Sequence, residues 1–231
     1  MVRLAPSPTH ARNGASVNRF NELFRRNGAW ALLLIWRLAL NRLNLVIIRR
    51  LLGVNDIYFQ GPPRILGSRF IRFGKNFRCG RGAWIEVVEG ADERALRSPR
   101  ISIGNNVVVS EYFHLAAVNS IRIGDDVLIG SGVLISDHSH GHYGRSGGSH
   151  PEVPPCARPL SSKGRIDIGR NVWIGDGVKI LAGVTIGEGS VIGANTVVSA
   201  DIPAASVCVS GATPRIVKTY DQEQQVWRTP V

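Results

Sequence analysis

Cysteine is scarce in this sequence: the 231 residues hold three, Cys79, Cys156 and Cys208, with no CxxC pair. An odd, scattered set fits neither a disulfide framework nor a zinc knuckle, and reads as reduced cytosolic thiols. Long hydrophobic runs are missing too. The largely apolar stretch between Arg26 and Arg37 is ten residues, short of the roughly twenty that a membrane-spanning helix needs. No signal-peptide cleavage pattern is present. Acidic residues are nearly absent from one region only. Residues 1–75 contain thirteen Arg and Lys against Glu22 and Asp56, whereas residues 76–231 contain fifteen of each sign, so the formal charge of +11 resides wholly in the N-terminal third. Aromatics are 7% of the chain and are not interleaved for base stacking, and no groove-reading motif occurs. Nucleic acid is therefore not an expected partner.

What is abundant is a beat of six. An aliphatic residue returns at Ile168, Ile174, Ile180, Ile186, Ile192 and Val198, and four of these open the pair Ile-Gly. Upstream the beat runs through Ile103, Val109 and Leu115, then Ile123, Ile129 and Ile135, and more faintly through Phe73, Cys79 and Ile85. Six is neither the helical period nor the two of a simple strand. It marks a solenoid of short stacked parallel strands, with one aliphatic side chain per face pointing into a narrow interior. A small residue after the interior one suits a corner where a Cβ would clash or φ must be positive. Cys208 reads as another interior residue.

Breaks in the beat outline the organisation. Residues 1–62 read as a polar, mobile tail of about twenty residues followed by a basic amphipathic helical segment, one or two helices over Asn27–Leu52. Gly61-Pro62-Pro63 separates this from a solenoid over 63–213, and 214–231 read as a C-terminal cap and tail. Residues 88–99 look like a small surface loop. After Ile135 the next interior residue is Ile168, 33 positions on rather than six, so a loop at about 137–165 is extruded. Loops of that length in a compact fold are usually functional or disordered. This one opens with Asp137-His138-Ser139-His140-Gly141-His142-Tyr143, holding three of the six histidines.

The repeat resembles the hexapeptide-repeat acyltransferases. The resemblance implies an all-β fold, a left-handed parallel β-helix of about eighteen residues per coil, assembled as homotrimers with active sites in clefts between neighbouring solenoids. The runs Tyr112–Asn119, Ile135–Gly141, Arg158-Pro159-Leu160 and Asn171–Gly175 narrow it, over residues 100–228, to O-acetyltransferases of lipopolysaccharide O-antigen and exopolysaccharide assembly. Acetyl-CoA is then the implied co-substrate, with no metal. The implied acceptor is a sugar or a lipid-linked glycan.

The same resemblance assigns roles. His138 occupies the position of the general base that takes a proton from the acceptor hydroxyl as it attacks the thioester. That task needs a group titrating near neutrality within hydrogen-bond reach. Asp137 is its catalytic companion. A carboxylate could fix the tautomer of His138, but neighbouring residues rarely face each other, and contact with the substrate is the alternative. Asn119 falls at an acceptor-binding position, where an amide can both donate to and accept from hydroxyls; His114 either faces the same cleft or simply packs, and His140 is a further acceptor contact or the alternative base. Trp173, pointing outward ahead of Ile174, is expected against acceptor or pantetheine. Ala194 and Ser199 match coenzyme-contacting positions, and Arg215 and Lys218 match positions that hold its phosphates.

Other readings stay open at this stage. The cluster His138, His140 and His142 could bind a metal; a metal-dependent lyase with this fold exists, the gamma carbonic anhydrase type, but it draws its ligands from separated coils and adjacent subunits. The acceptor could be an amino sugar, making the chemistry N-acetylation, or the solenoid could be a non-catalytic scaffold. Residues 27–52, basic and rich in Trp and Leu, suit peripheral contact with an anionic membrane. The expected location is the cytoplasm, at the inner face of the cytoplasmic membrane if that contact is made. A helix that merely caps the solenoid is the alternative.

Overall fold

The computed structural model describes residues 25–26, 28–88, 100–142, 149, 152–211, 214–221, 223 and 226–228, the last two strands and Leu34, Arg37 and Leu38 by their backbone course alone. The N-terminal tail, nearly all of the 88–99 loop and the tip of the 137–165 loop lie outside the described residues. The chain divides into residues 1–44 and 45–231.

The second unit is the solenoid. Each coil contributes a strand to three parallel sheets in turn. Face I stacks Ile57–Phe59, Phe77–Cys79, Val108–Val109, Leu128–Ile129, Trp173–Ile174, Val191–Ile192 and Ser206–Ser210. Face II stacks Arg64–Leu66, Trp84–Val87, His114–Ala117, Leu134–Ser136, Lys179–Ile180 and Val197–Val198. Face III stacks Ile71–Phe73, Ile101–Ile103, Ile121–Ile123, Ile166–Ile168 and Thr185–Ile186. The six-residue beat is the path from one face to the next. Its residues from Cys79 to Cys208 are buried, while Phe73 is partly so. Truncating one buried isoleucine to alanine in such a column costs about 2–5 kcal/mol.

The Ile-Gly pairs have a specific cause. A Cβ on Gly104 would lie 2.6 Å from the carbonyl carbon of Gly124, and one on Gly169 would lie 2.7 Å from the amide nitrogen of Glu188. These glycines let coils approach at the corner between faces III and I. The positive φ falls two residues later, on Asn76, Asn106, Asp126 and Asn171, residue types that tolerate the left-handed region. Their side chains bond along the stack, Asn76 Nδ2 to Asn106 Oδ1 at 3.1 Å and Asn106 Nδ2 to Asp126 Oδ1 at 2.8 Å.

The solenoid begins upstream of the Pro-Pro break, because Ile57–Phe59 already pairs in parallel with Phe77–Cys79. At the other end Pro214–Asp221 returns antiparallel to Ser206–Ser210, and Val226–Arg228 pairs with it in turn. The cap and tail thus extend face I.

One helix, Trp30–Leu52, spans the unit boundary and stops at Gly53, whose φ of 64° suits a helix C-terminus. In the solenoid unit, Leu45, Ile48 and Leu52 pack on the core, and the Arg49 guanidinium donates twice to the Ile57 carbonyl, at 2.9 and 2.8 Å. The polar residues of this helix do not mark its solvent face. Asn41 and Asn44 are half-buried, while Leu32, Leu33, Trp36, Leu40, Leu43, Val46, Ile47 and Leu51 are exposed. At about 100° per residue these eight fall on one side of the helix. Among the described residues no helix is long and apolar enough to cross a membrane.

Candidate active site

The irregularities of the solenoid concentrate at one corner, between faces II and III. Ile65 to Phe73 and Leu115 to Ile123 take eight residues rather than six, and both long loops leave from this corner. The extruded loop departs at Asp137 on a short stalk in which Ser139 and His140 pair antiparallel with Ser161 and Leu160. Gly141 N–H donates to the Pro159 carbonyl at 2.8 Å, and further out Ser149 N–H reaches the His142 carbonyl at 2.7 Å.

Asp137 is completely buried. Its Oδ1 accepts the N–H of Val118 at 2.7 Å and its Oδ2 the N–H of Asn119 at 2.8 Å, so the carboxylate ties the corner of the preceding coil. From the opposite side the Arg100 guanidinium donates to the carbonyls of Val118 and Asn119. The peptide units of this corner are therefore held at both polar ends. Buried and so engaged, Asp137 does not lie open to a substrate, contrary to the alternative raised by its place beside His138.

His138 stands directly above. Its side chain is 13% exposed, and Nδ1 lies 3.4 Å from Asp137 Oδ1 and 3.4 Å from Ser136 Oγ. The adjacent side chains approach after all, because the chain turns sharply out of the solenoid between them. Contacts of this length are weak as they stand, yet apo catalytic hydrogen bonds are often long and tighten with substrate bound. With Nδ1 turned toward the carboxylate, Nε2 is left without a partner among the described residues.

The other expected residues divide. His114 lies on face II one coil below, its register partners being Trp84 and Leu134. It stacks on the Trp84 indole with ring centres 4.1 Å apart and planes at 14°, and its Nε2 is 3.3 Å from Glu86 Oε1. Asn119 is exposed at the same corner, and His140 is exposed on the loop stalk. Ser199 is exposed where the last complete coil leaves face II. His138, Asp137, Asn119 and His114 therefore share one region. Trp173 does not join them. It is 54% exposed on face I between Leu128 and Val191. Ala194 is exposed at the corner after face I, and Arg215 and Lys218 lie on the strand that extends that face, opposite Val209 and Val207. Among the described residues no three metal-ligating side chains converge. Glu86, Ser136 and Arg100 are not picked out by the sequence reading. Glu86 has a signal there, being an outward-facing acid beside the interior Ile85.

Comparison with known proteins fits this geometry. The family described as bacterial transferase hexapeptide (six repeats) matches residues 165–200. WbbJ of Escherichia coli (strain K12), provisionally named a lipopolysaccharide biosynthesis O-acetyl transferase, is 37% identical over 183 residues, 79% of this chain and 88% of its own. Among solved structures, a point mutant of AntD, an N-acyltransferase from Bacillus cereus, in complex with dTDP and coenzyme A, superposes with a TM-score of 0.53 at 18% identity. That match covers 77% of this chain and 89% of AntD. AntD with dTDP and 3-hydroxybutyryl-CoA gives 0.52 at 20% identity, covering 72% and 81%. These two matches establish the fold, whereas the identity to WbbJ establishes kinship. The chain belongs to the hexapeptide-repeat acyltransferases, in the same family as WbbJ, and its solenoid is the left-handed β-helix of that family.

Proposed function

We propose that the protein is an acetyl-CoA-dependent O-acetyltransferase acting on a sugar hydroxyl in the biosynthesis of bacterial surface polysaccharide, lipopolysaccharide or exopolysaccharide. The observation that carries this, beside the kinship with WbbJ, is the orientation of His138. Its Nδ1 faces a buried carboxylate while Nε2 remains free to accept a proton. The acceptor hydroxyl gives its proton to Nε2 as its oxygen attacks the thioester carbonyl. The tetrahedral intermediate then collapses, the C–S bond breaks, and the imidazolium returns the proton to the coenzyme A thiolate. The oxyanion needs fixed donors, for which backbone N–H groups serve. Asp137 acts here as a positioning residue. It orients the imidazole and holds Asn119 at the acceptor side, where His114 and His140 also stand.

Trp173, Ala194, Arg215 and Lys218 belong to or border face I, and His138 belongs to the corner after face II. A homotrimer in which face I of one copy meets face II of the next brings both sets into one cleft, with Trp173 along the pantetheine and Arg215 and Lys218 at the phosphates. Ser199, at the same corner as His138, lines the coenzyme path from the other copy. The basic helix with its exposed apolar side rests on the anionic inner leaflet, where a lipid-linked acceptor would be presented. Liposome flotation tests this contact. Replacing Trp36 with Ser and Leu40 and Leu43 with Gln should abolish binding to anionic vesicles, and unchanged flotation would refute it.

The central experiment measures thiol release from acetyl-CoA by the wild type, His138→Ala and His140→Ala over a panel of deoxy-sugar and amino-sugar acceptors. Loss of about 10² or more in kcat in the first variant alone identifies the base. A preference for the amine of an amino sugar would convert the assignment to N-acetylation. Turnover undiminished in His138→Ala would move the base elsewhere.

A further inference from the structure

On face II, below the His138 corner, one acidic side chain faces outward from the solenoid. Glu86 points outward in register with Leu66, Ala116 and, one strand further, Ser136. Its neighbours in that column are all uncharged. Its side chain is nonetheless only 15% exposed, and among the described residues its partner is the His114 imidazole at 3.3 Å. A carboxylate so covered and so sparsely bonded is costly, and it accepts up to about four hydrogen bonds. Capacity is left over. The pair is also immobilised. His114 stacks on one side of the Trp84 indole and the Arg64 guanidinium lies over it at 4.3 Å from the neighbouring strand on the other. Among the described residues Trp84 Nε1 is buried there without a hydrogen-bond partner, so a polar donor beside the cluster also lacks an acceptor. Between this cluster and Ser136, whose Oγ contacts His138, stands Ala116, small and buried although it faces outward. Two strand spacings separate Glu86 from Ser136, roughly 10 Å along the face. That distance suits one sugar ring with its hydroxyls.

We propose that Glu86, held by His114 against Trp84, is the far half of the acceptor subsite, where its carboxylate accepts hydrogen bonds from hydroxyls of the sugar other than the one acetylated at His138. The inference rests on the transferase reading above and adds the chemistry of the substrate at that end. The group bound there is a neutral, hydroxyl-bearing ring, and a phosphate is repelled from it. Glu86 thus sets acceptor selectivity and has no part in binding acetyl-CoA.

The test separates sugar binding from catalysis. Saturation-transfer NMR with the full-length His138→Ala protein measures binding of methyl glycosides of hexoses, deoxyhexoses and amino sugars, first alone and then with Glu86→Ala or Glu86→Gln added. At least one glycoside should bind. Its affinity should fall about tenfold or more in Glu86→Ala and less in Glu86→Gln, because a hydrogen bond to a charged group is lost in the first and only weakened in the second. Coenzyme A affinity should not change. In the otherwise wild-type enzyme Glu86→Ala should raise KM for the acceptor by a similar factor while KM for acetyl-CoA stays. Unchanged glycoside affinity, equal loss of coenzyme affinity, or no glycoside bound by His138→Ala would each overturn the proposal. Glycoside binding that depends on Glu86 in a protein that releases no thiol from acetyl-CoA would instead uphold it and overturn the transferase reading.

Discussion

Removing the Asp137 carboxylate should loosen the corner that carries His138, and the size of the effect can be worked from the bonds it makes. In Asp137→Ala the N–H groups of Val118 and Asn119, which donate at 2.7 and 2.8 Å to a completely buried carboxylate, lose their acceptors at a partly buried corner. Leaving a buried donor unsatisfied costs about 1–3 kcal/mol, so the pair sets a loss of about 2–6 kcal/mol. For a chain of this size about 1 kcal/mol moves Tm by about 2–4 °C, and a fall of roughly 10 °C follows. Asp137→Asn keeps one acceptor oxygen but turns an NH2 toward the other amide, and should lose about half as much. In activity both variants should fall, because a misplacement of about 1 Å at a catalytic group costs up to about 10² in rate, yet less than His138→Ala. Differential scanning calorimetry paired with thiol release tests both. Full thermal stability in Asp137→Ala would refute the structural role. A Tm unchanged in Asp137→Asn, with activity as low as in His138→Ala, would mean that the carboxylate itself takes part in the chemistry.

Three further outcomes follow from the same geometry. Gly169→Ala should destabilise the solenoid by about 1–3 kcal/mol, since the new Cβ meets the Glu188 backbone. Equal denaturation midpoints for variant and wild type would contradict the close-approach argument. Native protein should react with Ellman's reagent at one cysteine, the exposed Cys156, and at all three only when unfolded. Burial pushes the Cys79 thiol up to about 12 and raises that of Cys208, which keeps both protonated at pH 8, where thiolate is the reacting form. Two or more thiols reacting at once in the native state would refute that placement. Ile174→Ala, in the middle of the interior column, should cost about 2–5 kcal/mol without altering KM for either substrate, and a selective KM effect would show the core and site to be coupled.

The interior of this protein is legible because it is periodic. Each of Ile123, Ile129 and Ile135 answers the same constraint, a narrow core filled once per face, and repetition turns a weak single-residue preference into a strong pattern. The corner glycines are legible as small residues but not by cause, since close approach and positive φ demand the same residue. Only coordinates separate Gly104, which meets the next coil, from Asn106, which carries the turn. The helix is legible in position and misleading in orientation. Its asparagines suggest a wet face, but Asn41 and Asn44 are half-buried, Leu45, Ile48 and Leu52 pack on the solenoid core, and Trp36, Leu40 and Leu43 are exposed. Arg100 and Glu86 escape a sequence reading, because their partners are 18 to 19 and 28 residues away, at spacings set by coil length and loop insertions rather than by any local motif.

The site therefore sits where the repeat fails. A regular hexapeptide corner is closed by bonds to the coil above and below, in places through exposed carboxylates such as Asp125 and Asp176, which accept the N–H groups of Asn105 and Ser131 at 2.6 Å. Between faces II and III the extra residues at Val118–Ser120 and the departure of the loop at Asp137 break that closure, and the orphaned amides of Val118 and Asn119 are what Asp137 satisfies. The carboxylate needed to repair the corner then lies beside the first residue of the departing loop, His138. Structural repair and the placement of the proposed base are thus one arrangement. A solenoid with the loop excised and the corner restored to six residues would keep its stability but lose the means of holding an imidazole, because the buried charge that orients His138 would have nothing left to hold.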